Sequence, residues 1–289
     1  MPDNSPPGKC TARRAPYDWP VAVAVAPLDL GELLRYWRRV RGKSQLDLAI
    51  DAMTTPRYVS FVETGRSQPS RQMVVRLARA LDIPLRERNG LLLAAGYAPL
   101  YAAGALDGSE LERVQAALTS MLAQHEPFPA VVMDRAWNIL QANGGAERLF
   151  GGLCAPDPLP APANVLELMI EPGPVRDAVL NWDAVVSGLL ERSRREAVGG
   201  ILDADSAARI ERLRSRPDVA AILTDAAPTT ATVPVIDVRF AFETRELSFF
   251  SVVSTIGTPT DVTAQELRVE AFFPSDEATR TAWAGAAHA

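Results

Sequence analysis

The sequence predicts two domains of different class: an N-terminal all-α bundle of five short helices, and a C-terminal α+β domain. The second is built on a five-stranded antiparallel sheet with inserted helices. Three observations carry this reading. The chain is 289 residues long, more than one ordinary domain needs. Apolar residues recur at helical spacing from Leu30 to Gly96, then change to strand-like alternation after Thr232. Charge is also split. Residues 28–98 hold twelve basic side chains against seven acidic ones, inside a chain of net −5, so the remainder carries about −10.

Residues 1–27 are Pro-rich and aperiodic and are read as a disordered arm. Leu30, Leu33, Leu34, Trp37 and Val40 share one face of a first helix that Gly42 ends. Ser44 caps a second helix through Ala52. Pro56, suited to a first helical position, opens a third that runs to Glu63 and stops at Gly65. Pro69-Ser70 starts a fourth, with Met73, Val74, Leu77, Ala78 and Leu81 inward. Pro84 opens a fifth that Gly96 ends. Short connections make this a bundle over 28–98.

Composition excludes several classes of function. Apolar residues are 47% and charged residues 22% of the chain, enough for a buried core. No apolar run reaches the ~20 residues of a membrane span, and Val21–Ala26 is too short, with the wrong flanks, for a secretory signal. Cys10 and Cys154 fit neither a metal spacing nor a disulfide framework. A reduced, cytoplasmic protein without a metal or cofactor is expected. Two histidines, His125 and His288, leave little for triads or His-based metal sites. No Gly-x-Ser-x-Gly, His-Glu-x-x-His or Gly-rich phosphate loop occurs, Asp203 and Asp205 read as helix caps, and no repeat period is visible. No catalytic residue is assigned, and an enzyme is not expected.

Two short helices across a tight turn match a helix-turn-helix. Ser44 to Ala49, then Thr55 to Ser60, then Glu63-Thr64-Gly65-Arg66 and Pro69, resemble the xenobiotic-response-element family of helix-turn-helix regulators, which includes phage repressors. That resemblance covers about a quarter of the chain and implies a lambda-repressor-like bundle that binds double-stranded DNA. It places Thr55, Pro56, Arg57, Ser60 and Phe61 against base edges in the major groove. It puts Gln45, Arg66 and Gln68 on phosphates, and Arg38 and Glu63 in a helix-bridging ion pair. One position departs: the family usually has Gly in the inter-helix turn, where this chain has Met53. A left-handed Met there costs ~1–2 kcal/mol.

Residues 99–125 read as a connector ending in a helix from Ser109 to His125. Leu111, Val114, Leu118, Met121 and His125 form a short heptad seam, able to pair two copies or to pack on its own second domain. His125 is read as a helix-end residue without chemistry. The second domain, 126–289, starts with strands at 129–133 and 137–141 and a helix capped by Asn143. Helices follow at 165–170, 175–198, 206–213 and 219–224. Strands at 232–242, 247–256 and 265–273 complete a PAS-like order.

Trp137-Asn138, Asn143 ahead of Leu149-Phe150, Asn181-Trp182-Asp183, the 192–195 arginine run and Phe272-Phe273-Pro274 resemble the ligand-binding domain of the MmyB-like transcription regulators. The resemblance implies an apolar, fatty-acid-like ligand. Candidate pocket walls are Phe150, Leu168, Trp182, Val186 and Leu190, with Ile222, Phe240, Phe249 and Val252 from the later helix and strands. Arg176, Arg239 or Arg245 would meet a carboxylate. The expected protein is a DNA-binding regulator, a homodimer whose two heads enter successive major grooves and whose 109–125 helix relays the ligand signal. The alternative is a second domain that only dimerises or binds a protein partner, without a small-molecule ligand.

Overall fold

The computed structural model describes residues 29–199, 204–225, 235 and 237–285; the expected arm at 1–27 lies outside them. Five helices open the chain: α1 (Leu30–Val40), α2 (Gln45–Asp51), α3 (Pro56–Glu63), α4 (Arg71–Ala80) and α5 (Leu85–Ala94). Their starts follow from the sequence. Asp29, Ser44, Thr55 and Ser70 each accept a hydrogen bond from an otherwise unpaired first-turn amide. Ser44 and Asp47 close a full capping box. Leu34, Trp37, Leu48, Val59, Leu77 and Leu92 form the shared core. A Cβ on Gly31 would lie 2.5 Å from the Glu63 carbonyl oxygen, so only glycine lets α1 and α3 approach this closely.

A 3₁₀ turn (Ser109–Leu111) leads into α6 (Glu112–Gln124). The sheet consists of β1 (Ala130–Met133), β2 (Ile139–Ala142), β3 (Val238–Phe242), β4 (Arg245–Thr255) and β5 (Arg268–Pro274), in the order β2-β1-β5-β4-β3. Every pairing is antiparallel. Between β2 and β3 the chain inserts α7 (Gly144–Cys154), α8 (Val165–Ile170), α9 (Pro174–Asp177), α10 (Trp182–Gly199), α11 (Ala204–Arg214) and α12 (Pro217–Asp225). Two further helices, α13 (Val262–Glu266) and α14 (Glu277–Gly285), fall where the sequence pattern gave no helix.

Both faces of the sheet are covered. Val131, Met133, Leu247, Phe249 and Phe272 pack on the inserted helices and on Trp283 of α14, forming the inner face. Ala130, Val132 and Val269 pack on Leu118 and Leu122 of α6, forming the outer one. The heptad seam therefore serves the domain's own sheet. Leu122 takes the place expected for Met121, which is 39% exposed.

The helix expected at 175–198 is interrupted. Val179 bridges Phe240, Leu180 donates to the Arg239 carbonyl, and Ala241 donates to the Ala178 carbonyl. Residues 178–180 thus leave the helix to satisfy the edge of β3. Of the strand expected at 232–242, residues 232–234 and 236 lie outside the described residues. The two domains meet where α5 faces α13. Arg86 grips Glu266 through two 2.7 Å bonds, the Leu85 amide donates to Gln265, and Arg135 bridges Glu87 and Glu266.

Candidate DNA-reading head and sensor interior

The outward edge of α3 follows from its own pattern. Val59 and Val62 enter the core, while Thr55, Pro56 and Arg57 are exposed and Ser60 and Phe61 are half-buried. The helix packs against α1 and α2. Arg57 lies over the Phe61 ring, 5.2 Å from its centroid, so the two side chains one turn apart present a joint surface. Arg66, just after the helix, is exposed.

Glu63 is the anchor on the buried side, at 3% exposure. It receives Arg38 as a fork, at 2.6 and 3.1 Å, and the Gln45 amide at 2.8 Å; Arg35 donates to its backbone carbonyl. Burial pushes the Glu63 carboxyl upward, but the bonds from Arg38 and Gln45, with the Arg38 and Arg35 charges, outweigh it and hold the pKa below the ordinary glutamate value. The same hydrogen bond raises Arg38.

Gln45 and Gln68, expected on phosphates, also bond within the head: the Gln45 side-chain amide donates to Glu63, and that of Gln68 to the Ala95 carbonyl at the end of α5, both at 2.8 Å. Met53 adopts φ +50°, the left-handed conformation that the turn demands.

In the second domain the inner face gathers most of the expected pocket residues. Phe150, Val186, Leu190, Phe240 and Phe249 belong to one buried cluster, and Leu168, Trp182 and Ile222 pack against it. Val252 does not join them. Phe249 points inward, and a strand alternates, so a residue three positions on points outward; Val252 is 45% exposed beside Ala271 of the outer face. The Trp182 indole donates to the Met169 carbonyl, and Arg176 stacks on its ring while pairing with Asp218. Arg239 pairs with Glu246 at the surface and Arg245 is exposed, so neither reaches the interior.

The charged pair that does reach it is one the sequence reading missed. Glu270 of β5, 4% exposed, accepts from Arg192 of α10 at 3.0 Å and from the Ser251 hydroxyl at 2.6 Å. Arg192 in turn lies 4.4 Å over the ring of buried Trp137. The signal was present as a glutamate inside an apolar strand. Among the described residues, no group of three or more His, Cys, Asp or Glu side chains is placed to hold a metal ion, and no helix is long and apolar enough to cross a membrane.

A helix-turn-helix head joined to an α+β domain with a helix-covered interior defines a two-domain DNA-binding transcription regulator. Residues 29–91 match the family described as helix-turn-helix domain, and residues 114–284 match the MmyB-like transcription regulator ligand binding domain. The second match spans more than half of the chain, which belongs to that family. Neither family is one of enzymes. Among curated proteins, the chain is similar to the endothelial differentiation-related factor 1 homolog of Gallus gallus. Identity there is 30% over 63 residues, 22% of this chain and 43% of the relative. It is also similar to multiprotein-bridging factor 1 of Candida albicans, at 28% over 86 residues, 30% of this chain and 57% of the relative. The chain thus spans about half the length of the curated relatives it matches.

Proposed function

We propose that this regulator reads operator DNA by laying α3 in the major groove, and that a small apolar ligand held under the inserted helices shifts the head between DNA-competent and DNA-incompetent arrangements. The observation that carries the reading is the outward edge of α3, with Thr55, Pro56 and Arg57 exposed over a head whose charge is positive. The buried aromatic and aliphatic lining of the inner face supports a hydrocarbon body such as a fatty acyl chain. Two copies on a two-fold operator would place their α3 helices about 34 Å apart. The contact of α5 with α13 supports a direct route for the signal, since it joins the head to the helix that precedes β5. Selection of bound sequences from a random DNA library by the full chain tests the first part, and recovery of no enriched motif refutes it. Thermal-shift measurements with fatty acids and other small hydrophobes test the second, and no stabilisation by any of them counts against it.

A further inference from the structure

We infer that Arg57 and Phe61 read the operator as one unit: Arg57 takes a guanine, and the Phe61 ring takes the methyl group of a thymine in the adjoining base pair. The inference rests on the reading of α3 as the helix that enters the groove, and adds the bases that this helix selects.

Arg57 stands in the first turn of α3, exposed beside Thr55 and Pro56. Among the described residues its guanidinium makes no hydrogen bond and no ion pair, and it lies 5.2 Å from the centroid of the Phe61 ring. Other arginines of the head are committed: Arg38 to the Glu63 carboxylate and Arg35 to the Glu63 carbonyl. Arg57 therefore keeps its donors for something outside the chain.

Phe61 is half-buried, yet it is not among the apolar side chains that form or flank the core of the head. To that core α3 sends Val59 and Val62, with Tyr58 packed against them. Core packing thus does not explain an aromatic residue at position 61. Its place under an unpaired guanidinium does.

The two groups differ in what they can recognise. A guanidinium is a planar fork that fits O6 and N7 of guanine with two bonds. Stacked on a ring, it is oriented before DNA arrives and loses less freedom on binding. The ring carries no donor or acceptor, so against a polar base edge it would strand that edge without water. The thymine methyl is the apolar feature of the major groove. Successive bases rise by about 3.4 Å, so groups 5.2 Å apart reach adjoining pairs, whereas pairs two steps apart need about 6.8 Å.

Selection of duplexes from a random library by the full chain, followed by titration of the enriched duplex, tests this. The enriched motif is expected to hold a guanine with a thymine in the adjoining pair. Uracil in place of that thymine removes only the methyl group and should weaken binding about fourfold. Phe61→Ala should erase the difference between thymine and uracil and reduce the preference for the guanine, while affinity for random duplex stays within about twofold. Arg57→Lys keeps the charge and should lose the guanine preference. A motif without the guanine or its thymine neighbour, or uracil tolerated without loss, would overturn the inference. So would a Phe61→Ala protein that still prefers thymine, which would leave the ring a structural prop. Should that variant fail to fold, the uracil duplexes on the unaltered protein decide by themselves. Enrichment of no motif overturns the reading of α3 beneath, and this inference with it.

Discussion

Arg38 and Glu63 meet as a fork, with Nε 2.6 Å from one carboxylate oxygen and Nη2 3.1 Å from the other, tying α1 to the last turn of α3. Because Glu63 is almost fully buried, removing one partner strands the other. Arg38→Ala is expected to cost about 3 kcal/mol in chemical denaturation. Arg38→Lys should recover only part of it, since an ammonium cannot make the two-pronged bond. Gln45→Ala should lower stability as well, by about 1–3 kcal/mol, as it deletes a donor to the same carboxylate.

Acid should act in opposite directions on the buried fork of the head and on the contact between the two domains. Glu63 has a depressed pKa, so its stabilisation is complete above the ordinary glutamate value and is lost as pH falls through the lower folded value. Glu87 is the reverse: burial raises it, and Arg135 offsets this only in part. Its folded form takes up a proton more readily than the unfolded one. Mild acidification through that raised value therefore adds stability at the α5–α13 contact. Asp134, raised by burial, contributes in the same sense. Melting temperature measured against pH should first rise on acidification and then collapse. Glu87→Gln should flatten the rise and leave the collapse in place.

Met53 carries φ +50° with its side chain 76% exposed, so it bears the strain of the left-handed region without packing in return. Met53→Gly is expected to stabilise the protein by about 1 kcal/mol, less the extra freedom glycine gives the unfolded chain. An unchanged or lower denaturation midpoint would contradict this.

On DNA, Arg57→Ala should cost about 1–3 kcal/mol on the selected site and relax base preference, because Arg57 stands on the reading edge. Arg66→Ala should weaken every sequence alike and lower the slope of log affinity against log salt by about 1. Titrations on selected and random duplexes at several salt concentrations separate the two effects.

The helical head was legible because each start and stop is a local event. Ser44, Thr55 and Ser70 bond amides within their own first turns, and Gly65 turns the chain where its φ is positive. The strands were legible from alternation, and the fork of Arg38 on Glu63 from its place in a family pattern. The destinations of Gln45 and Gln68 were not legible: donor groups take whichever acceptor folding brings nearest, and Glu63 and Ala95 are distant in sequence. Nor was the break at 178–180, which exists because the edge of β3 needs backbone partners.

The sequence by itself determined the five helices of the head, the succession of two strands, helices and three strands after it, and that two domains share the chain. Only the tertiary structure decided that α6 covers the second face of the sheet. That cover turned Glu270 inward and Val252 outward, since alternation records which residues share a face but not which faces become buried.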